Sequence, residues 1–576
     1  MKNKIFRKAA GAALMSLALT AQLAVPVFAG PTFLPDVTKE MCEPEYWLDE
    51  YADLELADQN LVKELNEKFL VTDGLNMKDL EKEPAVFDGA ALNRNIWRAS
   101  MSENAAYLDG SYYDSDGEEI SGAFMLETLM NIENPDAQKE QELLYGICVN
   151  RSNLRALPTD RIVTDAVGDN DFDYMQLSAL RVNEPVLIRS VSADKAWYYV
   201  DSTALSGWVH AEDIAICVDK KEWESAWKIP EEKLLVVTGG KFFLEQSNTS
   251  PELSGRMLTM GTRLELADPE DYTELISNRA VYHNYVVWMP VRKEDGSYEK
   301  ELALISEHQP VHEGYLPLTD RNILETAFSM LGDAYGWGGM LDSNDCSGYL
   351  QDIYSCFGLK LPRNTTWQAA MPVYKFDTRE MSTEEKEEIL DALPAGSLLY
   401  FNGHGMMYLG SENGKYYVIS SFSSMMDADG ETRRRVRSVS VNTLDTLRAN
   451  GHAWIEDIHT MLIPYMDEVY ITEDTAEKEV PENGSDAEDT SDDGVLHADL
   501  NIEEAAADIS EGTGVQELLS VEETAADTAE ETETDETIPE EETAETDGMT
   551  DTKNQNGIWF RDPGTRQRRF IPHSTK

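Results

Sequence analysis

At 576 residues the chain is too long for one hydrophobic core and implies roughly two to four domains. Its 48 Lys+Arg against 108 Asp+Glu give a formal net charge of −60, which speaks against nucleic acid as a partner because one polyanion repels another. The five cysteines (Cys42, Cys148, Cys217, Cys346 and Cys356) are widely spaced with no CxxC pair, so neither a zinc site nor a disulfide scaffold is indicated.

The first 29 residues read as an export signal. Lys2, Lys4, Arg7 and Lys8 form a basic start, Ala9 to Val27 is largely apolar, and Val27-Phe28-Ala29 offers a cleavage site after Ala29. No later segment is long enough to span a bilayer, so the sequence predicts a secreted or cell-wall-associated protein without a stable membrane anchor. Residues 30–144 read as a helical N-terminal region, with apolar residues at helical spacing over Asp49 to Leu70 (Leu54, Leu61, Leu65, Phe69) and again over Ala123 to Leu144. Residues 145–220 change to short strand-like runs, YGICVN, VLIRSVS and WYYVDSTALSGWVHAEDIAI, the texture of a small antiparallel barrel. Residues 221–312 hold a second strand-rich segment with LLVVTGG, RLELAD and YVVWMPVR, so the fold carries one or two such barrels.

Residues 313–466 form an α+β domain. Thr319 or Asp320 caps a helix with Ile323, Leu324, Ala327, Phe328 and Leu331 on its apolar face, and Gly332 ends it. A glycine-rich loop then leads to a helix from Cys346 to about Phe357, and a further helix is expected near Ser382 to Ala392. Strands SLLYF, GMMYLG, KYYVIS and VRSVSV follow, with a hairpin turn at Ser411-Glu412-Asn413-Gly414 and a short helix over Val441 to Asn450. Residues 467–576 are an acidic stretch with almost no aromatics and a short basic end. Such a composition buries too little apolar surface to offset its ordering entropy, which predicts a disordered tail.

The chemistry centres on Cys346. A cysteine on a helix is commonly a small buried hydrophobe, and Cys356 on the same helix reads as one. Cys346 differs because it stands at the helix start, where the helix dipole favours thiolate, behind Gly336, Gly338 and Gly339, which leave room for a substrate backbone. His404 heads the strand HGMMYLG and is the candidate base. A base needs a third polar group to fix its tautomer, and Ser420 on the next antiparallel strand is the candidate.

The order YGWGG, DCSG, LPRNT-xx-Q and H-xxx-YLG resembles the NlpC/p60 family of papain-like cysteine peptidases, in particular the subgroup with N-terminal bacterial SH3-like domains. NRSNLRALPT (Asn150 to Thr159) resembles the opening of that subgroup's first barrel. The resemblance implies a papain-like catalytic domain and hydrolysis of peptidoglycan stem peptides between γ-D-glutamate and L-lysine or meso-diaminopimelate. It makes Cys346 the nucleophile and His404 the general base. It places Tyr335, Asp345 and Ser347 around the free amino group of an N-terminal L-alanine, where a carboxylate can pair with an ammonium. It also implies that an SH3-like barrel closes one end of the groove, with Trp208, Tyr198 and Tyr199 as candidates. Where the family usually has a second histidine, this chain has Ile419-Ser420-Ser421, and a serine is a short, weak partner for an imidazolium. No metal or organic cofactor is required. Two other readings stand beside the peptidase: a non-catalytic wall-binding protein that keeps the fold, and a related amidase or acyltransferase.

Overall fold

The computed structural model describes residues 33–103 and 112–467, with the backbone of two short antiparallel strands, Gly557–Arg561 and Arg568–Pro572. The expected export signal over residues 1–29 and almost all of the acidic stretch 467–576 lie outside the described residues.

The N-terminal region carries fewer helical residues than the spacing predicts. Helix α1 (Gln59–Val71) begins only where the Asp58 side chain accepts the N–H groups of Asn60 and Leu61, and Leu54 lies exposed before it. Helices α2 (Gly89–Glu103) and α3 (Gly122–Asn131) follow, the latter capped by Ser121. The apolar run after α3 is strand rather than helix: Gln141–Glu142 pairs with Val86–Phe87, and Leu144–Cys148 forms β1. Among the described residues, the region's buried side chains join cores shared with other segments. Trp47, Leu65, Phe69 and Leu75 are buried in the C-terminal domain, while Ile96, Ile120, Met125 and Leu129 pack with Trp197 and Trp208. Its helices are therefore packing pieces of two other domains.

The first sheet comprises β1, β2 (Ser152–Arg155), β3 (Gln176–Leu180), β4 (Pro185–Val191), β5 (Trp197–Asp201), β6 (Ser206–His210) and β7 (Ile214–Ile216). It is antiparallel, in the order β3-β2-β6-β5-β4-β1-β7. Its apolar interior holds Leu154, Val186, Ile188, Val200, Val209 and Ile214. Helix α4 (Lys220–Trp227) covers β1, with Trp223 donating its indole N–H to the Gly146 carbonyl at 3.1 Å. The second sheet is built from β8 (Leu234–Val237), β9 (Arg263–Leu266), β10 (Asn284–Arg292), β11 (Tyr298–Ser306) and β12 (Val311–Glu313), in the order β11-β10-β9-β8-β12. Leu235, Leu258, Leu264, Val287, Met289 and Ile305 form its separate core.

In the C-terminal domain, α5 (Asp320–Phe328), α6 (Cys346–Ser355), α7 (Thr365–Ala370) and α8 (Thr383–Ala392) are capped by the side chains of Thr319, Asp345, Asn364 and Ser382. The sheet holds β13 (Val373–Asp377), β14 (Leu398–Phe401), β15 (His404–Glu412), β16 (Lys415–Met426), β17 (Arg433–Thr443) and β18 (Thr460–Asp467), ordered β13-β18-β14-β15-β16-β17. Phe401 pairs with His404 across a two-residue turn with Gly403 at φ 82°, and Glu412 pairs with Lys415 across Asn413 (φ 54°) and Gly414 (φ 75°). The helix expected over residues 441–450 is absent: β17 runs on to Thr443, and α9 forms later, at Trp454–Asp457. Tyr349, Leu350 and Ile353 of α6 are buried in one core with Met406, Tyr408 and Ile419 of β15 and β16. Each such side chain contributes about 1.5–3 kcal/mol by leaving water. That packing fixes the helix start beside the head of β15.

Candidate active site

The loop before α6 is tightly folded. A Cβ on Gly336 would lie 2.0 Å from the Met340 carbonyl oxygen. Gly338 has φ +55°, and a Cβ there would lie 2.7 Å from the carbonyl oxygen of Gln176 in the first sheet. Gly339 would similarly meet the Ala179 side chain at 2.8 Å. Gly336 thus admits the loop's own backbone, and Gly338 and Gly339 admit the first sheet, where the sequence implies room for a substrate backbone.

Cys346 opens α6, is 5% exposed, and holds its Sγ 3.9 Å from the carbonyl oxygen of Gly403, the residue before His404. His404 Nε2 lies 3.1 Å from the hydroxyl oxygen of Ser420, which is fully buried. The pairing occupies one ring nitrogen and leaves Nδ1 as the other. Phe401, Trp454 and Phe422 surround the imidazole, with ring centroids 5.2, 5.0 and 6.2 Å away. Burial among these rings, helped by the positive charge of Arg448, pushes the His404 pKa down to about 3, so the free imidazole is neutral. A neutral imidazole beside a thiol can act as a general base at the moment of attack.

The other cysteines have no such setting. Cys148, Cys217 and Cys356 are buried, and burial pushes each thiol up in pKa. Cys356 Sγ lies 3.6 Å from the Val237 carbonyl, as a packing residue would.

Asp345 and Ser347 are brought together, but with a residue the sequence did not single out. Arg363 donates from Nη2 to Asp345 Oδ2 at 2.7 Å, from Nη1 to Asp345 Oδ1 at 3.2 Å and to Ser347 Oγ at 2.9 Å. Its Nε reaches the Ser178 hydroxyl of β3 at 2.8 Å. Asp345 also accepts the N–H groups of Gly338 (3.0 Å) and Gly348 (2.8 Å) and the Ser347 hydroxyl (3.1 Å). Burial works against its charge, yet the Arg363 guanidinium and these donors hold the carboxyl below its usual range. Both oxygens are already held, so a substrate ammonium would have to share Asp345 with Arg363 rather than fill an empty carboxylate. Gln368, also unassigned by the sequence, donates to the Ser347 carbonyl at 3.1 Å and accepts from the Tyr400 hydroxyl at 3.2 Å. Both residues sit in the LPRNT-xx-Q run, and no local pattern announces their partners.

Tyr335 is buried, and its backbone N–H bonds the Arg437 carbonyl at 2.9 Å. Of the SH3-like residues offered for the groove end, Trp208 is fully buried against Tyr199, while Tyr198 and Tyr199 are half-buried and pack against the apolar clusters of the first sheet. Phe172, Gln176 and Ser178 meet the catalytic loop instead. On the far side of Gly403 lies an open cleft of about 700 Å³, flanked by Thr365, Phe401, Asn402 and His459. Among the described residues, no group of three or more His, Cys, Asp or Glu could hold a metal ion, and no helix is long and apolar enough to cross a membrane.

The model of the NlpC/P60 family matches residues 332–438, and that of the SH3 domain of SH3b1 type matches residues 164–210. The chain carries an NlpC/P60 domain behind a bacterial SH3 domain. Cys346, His404, Ser420, Tyr335, Asp345, Ser347 and Arg363 all fall within the first match, and Gln176 and Ser178 within the second. A curated relative, Dipeptidyl-peptidase 6 of Lysinibacillus sphaericus, is 31% identical over 125 residues, which is 22% of this chain and 36% of the relative. The match therefore spans about a third of that relative's length. Among solved structures, an NlpC/P60 endopeptidase from Photobacterium damselae subsp. piscicida superposes with a TM-score of 0.60 at 19% identity, covering 76% of this chain and all of that one. That likeness shows a shared fold.

Proposed function

We propose that this protein is a cysteine peptidase of peptidoglycan stem peptides, exported to the cell wall, that cuts the bond between γ-D-glutamate and L-lysine or meso-diaminopimelate. The observation that carries the reading is Cys346 Sγ at the first turn of α6, 3.9 Å from the carbonyl before His404, with His404 Nε2 held 3.1 Å from Ser420. The matched family and the relative named for dipeptidyl-peptidase activity support it.

In this reading the Cys346 thiol passes its proton to neutral His404 as sulfur attacks the γ-glutamyl carbonyl carbon. Backbone N–H groups in the first turn of α6, which have no intrahelical acceptor, face the developing oxyanion. The C–N bond breaks, and His404 returns the proton to the departing amine. Water then attacks the thioester with His404 as base. The products are a free carboxylate and the regenerated thiol. Ser420 fixes the imidazole. Tyr335, Asp345 and Ser347 line the end that receives the free N-terminal L-alanine, with Asp345 shared between the ammonium and Arg363.

The same reading makes residues 313–466 the papain-like catalytic domain, residues 145–220 the SH3-like barrel and residues 221–312 a second SH3-like segment. The rival reading of a non-catalytic wall binder draws on one observation, the strong depression of the His404 pKa, which disfavours a thiolate–imidazolium pair. Incubation with L-Ala-γ-D-Glu-L-Lys decides between them. Release of lysine by the wild type and its loss in Cys346→Ala are expected; no release, or undiminished release in that variant, defeats the proposal. Ser420→Ala is expected to lower kcat about tenfold with little change in KM, the mark of an imidazole that has lost its orientation.

A further inference from the structure

The run Arg433-Arg434-Arg435-Val436-Arg437 is a dense cluster of cations in a chain of net charge −60. It lies on β17, the edge strand of the catalytic sheet. Arg434 pairs with Asp427 at 2.7 Å. The remaining three arginines face a pocket of about 230 Å³ walled also by Phe172, Tyr335 and Trp337, by Ser423 and Ser424, and by the carboxylates of Asp169 and Asp171 that pair with Arg437.

Three observations point to what this pocket takes. Its polar lining is rich in unspent donors: Trp337 Nε1 and Arg437 Nε are buried and have no hydrogen-bond partner in the protein. Arg433 and Arg435 are exposed and have no carboxylate partner among the described residues, although Arg433 Nε does donate to Ser424 Oγ at 2.9 Å. Arg437 alone is balanced, by Asp169 at 3.5 Å and by Asp171. Arg437 also holds φ +53°, a left-handed conformation that a non-glycine residue adopts at a cost, and one that clusters at binding sites. Donors without acceptors, beside two unpaired guanidiniums, fit an anion with several acceptor atoms.

The pocket adjoins the catalytic centre. Tyr335 and Trp337 form its wall, and Gly338, next in the chain, donates to Asp345 beside Cys346. Ser424 lies four residues along β16 from Ser420, about 13 Å away at strand spacing. A tripeptide in the site spans about 10 Å and the long arginine side chains extend back toward it, so together they can bridge that separation and bring a carboxylate to a guanidinium.

We propose that this pocket is a subsite for a carboxylate of the bound peptide, and that Arg433 and Arg435 set specificity for it. The inference rests on the stem-peptide reading, in which the substrate carries two such groups: the α-carboxylate of the γ-linked glutamate and that of the diamino acid. The test uses the full chain as Cys346→Ala, with binding of L-Ala-γ-D-Glu-L-Lys and of its two monoamides measured by calorimetry, with and without Arg433→Gln/Arg435→Gln. Loss of both guanidiniums is expected to weaken the free peptide about 10- to 100-fold. Amidation of the recognised carboxylate should weaken it similarly, after which the glutamines should cost nothing more; the monoamide that behaves so identifies the group. A parallel Arg433→Lys/Arg435→Lys variant is expected to retain part of the affinity, which a folding defect would not allow. Equal affinity of all three proteins for the free peptide, or no binding at millimolar concentration, overturns the subsite. Lysine release by the wild type tests the peptidase reading separately, because carboxylate-dependent binding without release would sustain the subsite and defeat the peptidase.

Discussion

The two strand-rich segments pack against opposite ends of the same helix, although Arg181 of the first also pairs with Asp352 within it and Lys241 of the second donates to the Asp342 carbonyl before it at 2.9 Å. The first sheet grips the loop before α6. Arg151 donates to the Gly339 carbonyl at 2.6 Å, Gln176 Nε2 to the Gly338 carbonyl at 2.9 Å, and Ser178 accepts from Arg363. The second sheet meets the other end of α6, where the Cys356 thiol faces the Val237 carbonyl and a Cβ on Gly261 would lie 1.9 Å from Ser355 Oγ. Both sheets have their own apolar cores and could be taken for equivalent modules. In the proposed mechanism the chemistry sits at the N-terminal end of α6, so the first sheet meets the reacting end and the second meets the far end. What matters is which end of the helix a domain meets, because only the first turn carries the thiol and the unsatisfied N–H groups.

Four substitutions probe that asymmetry. The largest effect is expected for Arg363→Ala, which leaves the Asp345 carboxylate buried without its counter-charge and cuts the bond to Ser178. Stability should fall by about 3–5 kcal/mol in urea titration, and lysine release should drop to background. A loss under about 1 kcal/mol would mean that the junction is not where the first sheet acts. Next comes Gly338→Ala, which combines φ +55° with the 2.7 Å approach to Gln176. It should cost about 1–3 kcal/mol and lower kcat/KM about tenfold or more, because the loop carrying the Asp345 contact must shift. Gly74→Ala, with φ +83° and open space around it, separates strain from contact: it should leave kcat/KM unchanged. Gly261→Ala, in the turn before β9, should have almost as little effect on turnover as that control. It should destabilise by about as much as Gly338→Ala yet leave kcat/KM of the folded enzyme within about twofold. Equal losses of kcat/KM in Gly338→Ala and Gly261→Ala would erase the distinction between the two sheets.

How far the sequence could be read followed the range of the interaction. Side chains that cap a helix sit beside what they cap, so Thr319, one of the two caps expected for α5, marked its helix correctly, whereas Asp345 and Ser382 emerge as caps only in the structure. Apolar spacing alone misled where no cap accompanied it, as in the run from Asp49, which becomes helix only after Asp58. The same weakness produced a helix over residues 441–450, where β17 instead keeps pairing with β16. The N-terminal region looked like a separate helical unit because its amphipathic faces are local, while the cores that receive them belong to distant segments.

The sequence by itself determined that Cys346 opens a helix and that His404 heads a strand, and it offered Ser420, a polar residue on the next antiparallel strand, as the candidate partner for His404. Each of these is written in a few adjacent residues, through a glycine-rich approach, a turn or a strand-like run. Only the tertiary structure decided that Arg363 neutralises Asp345, that Gly338 makes room for Gln176, and that Phe401, Phe422 and Trp454 converge on His404 and keep it neutral. These contacts join residues far apart in the chain, and the free energy of a buried charge depends on what surrounds it in space, which no local pattern encodes.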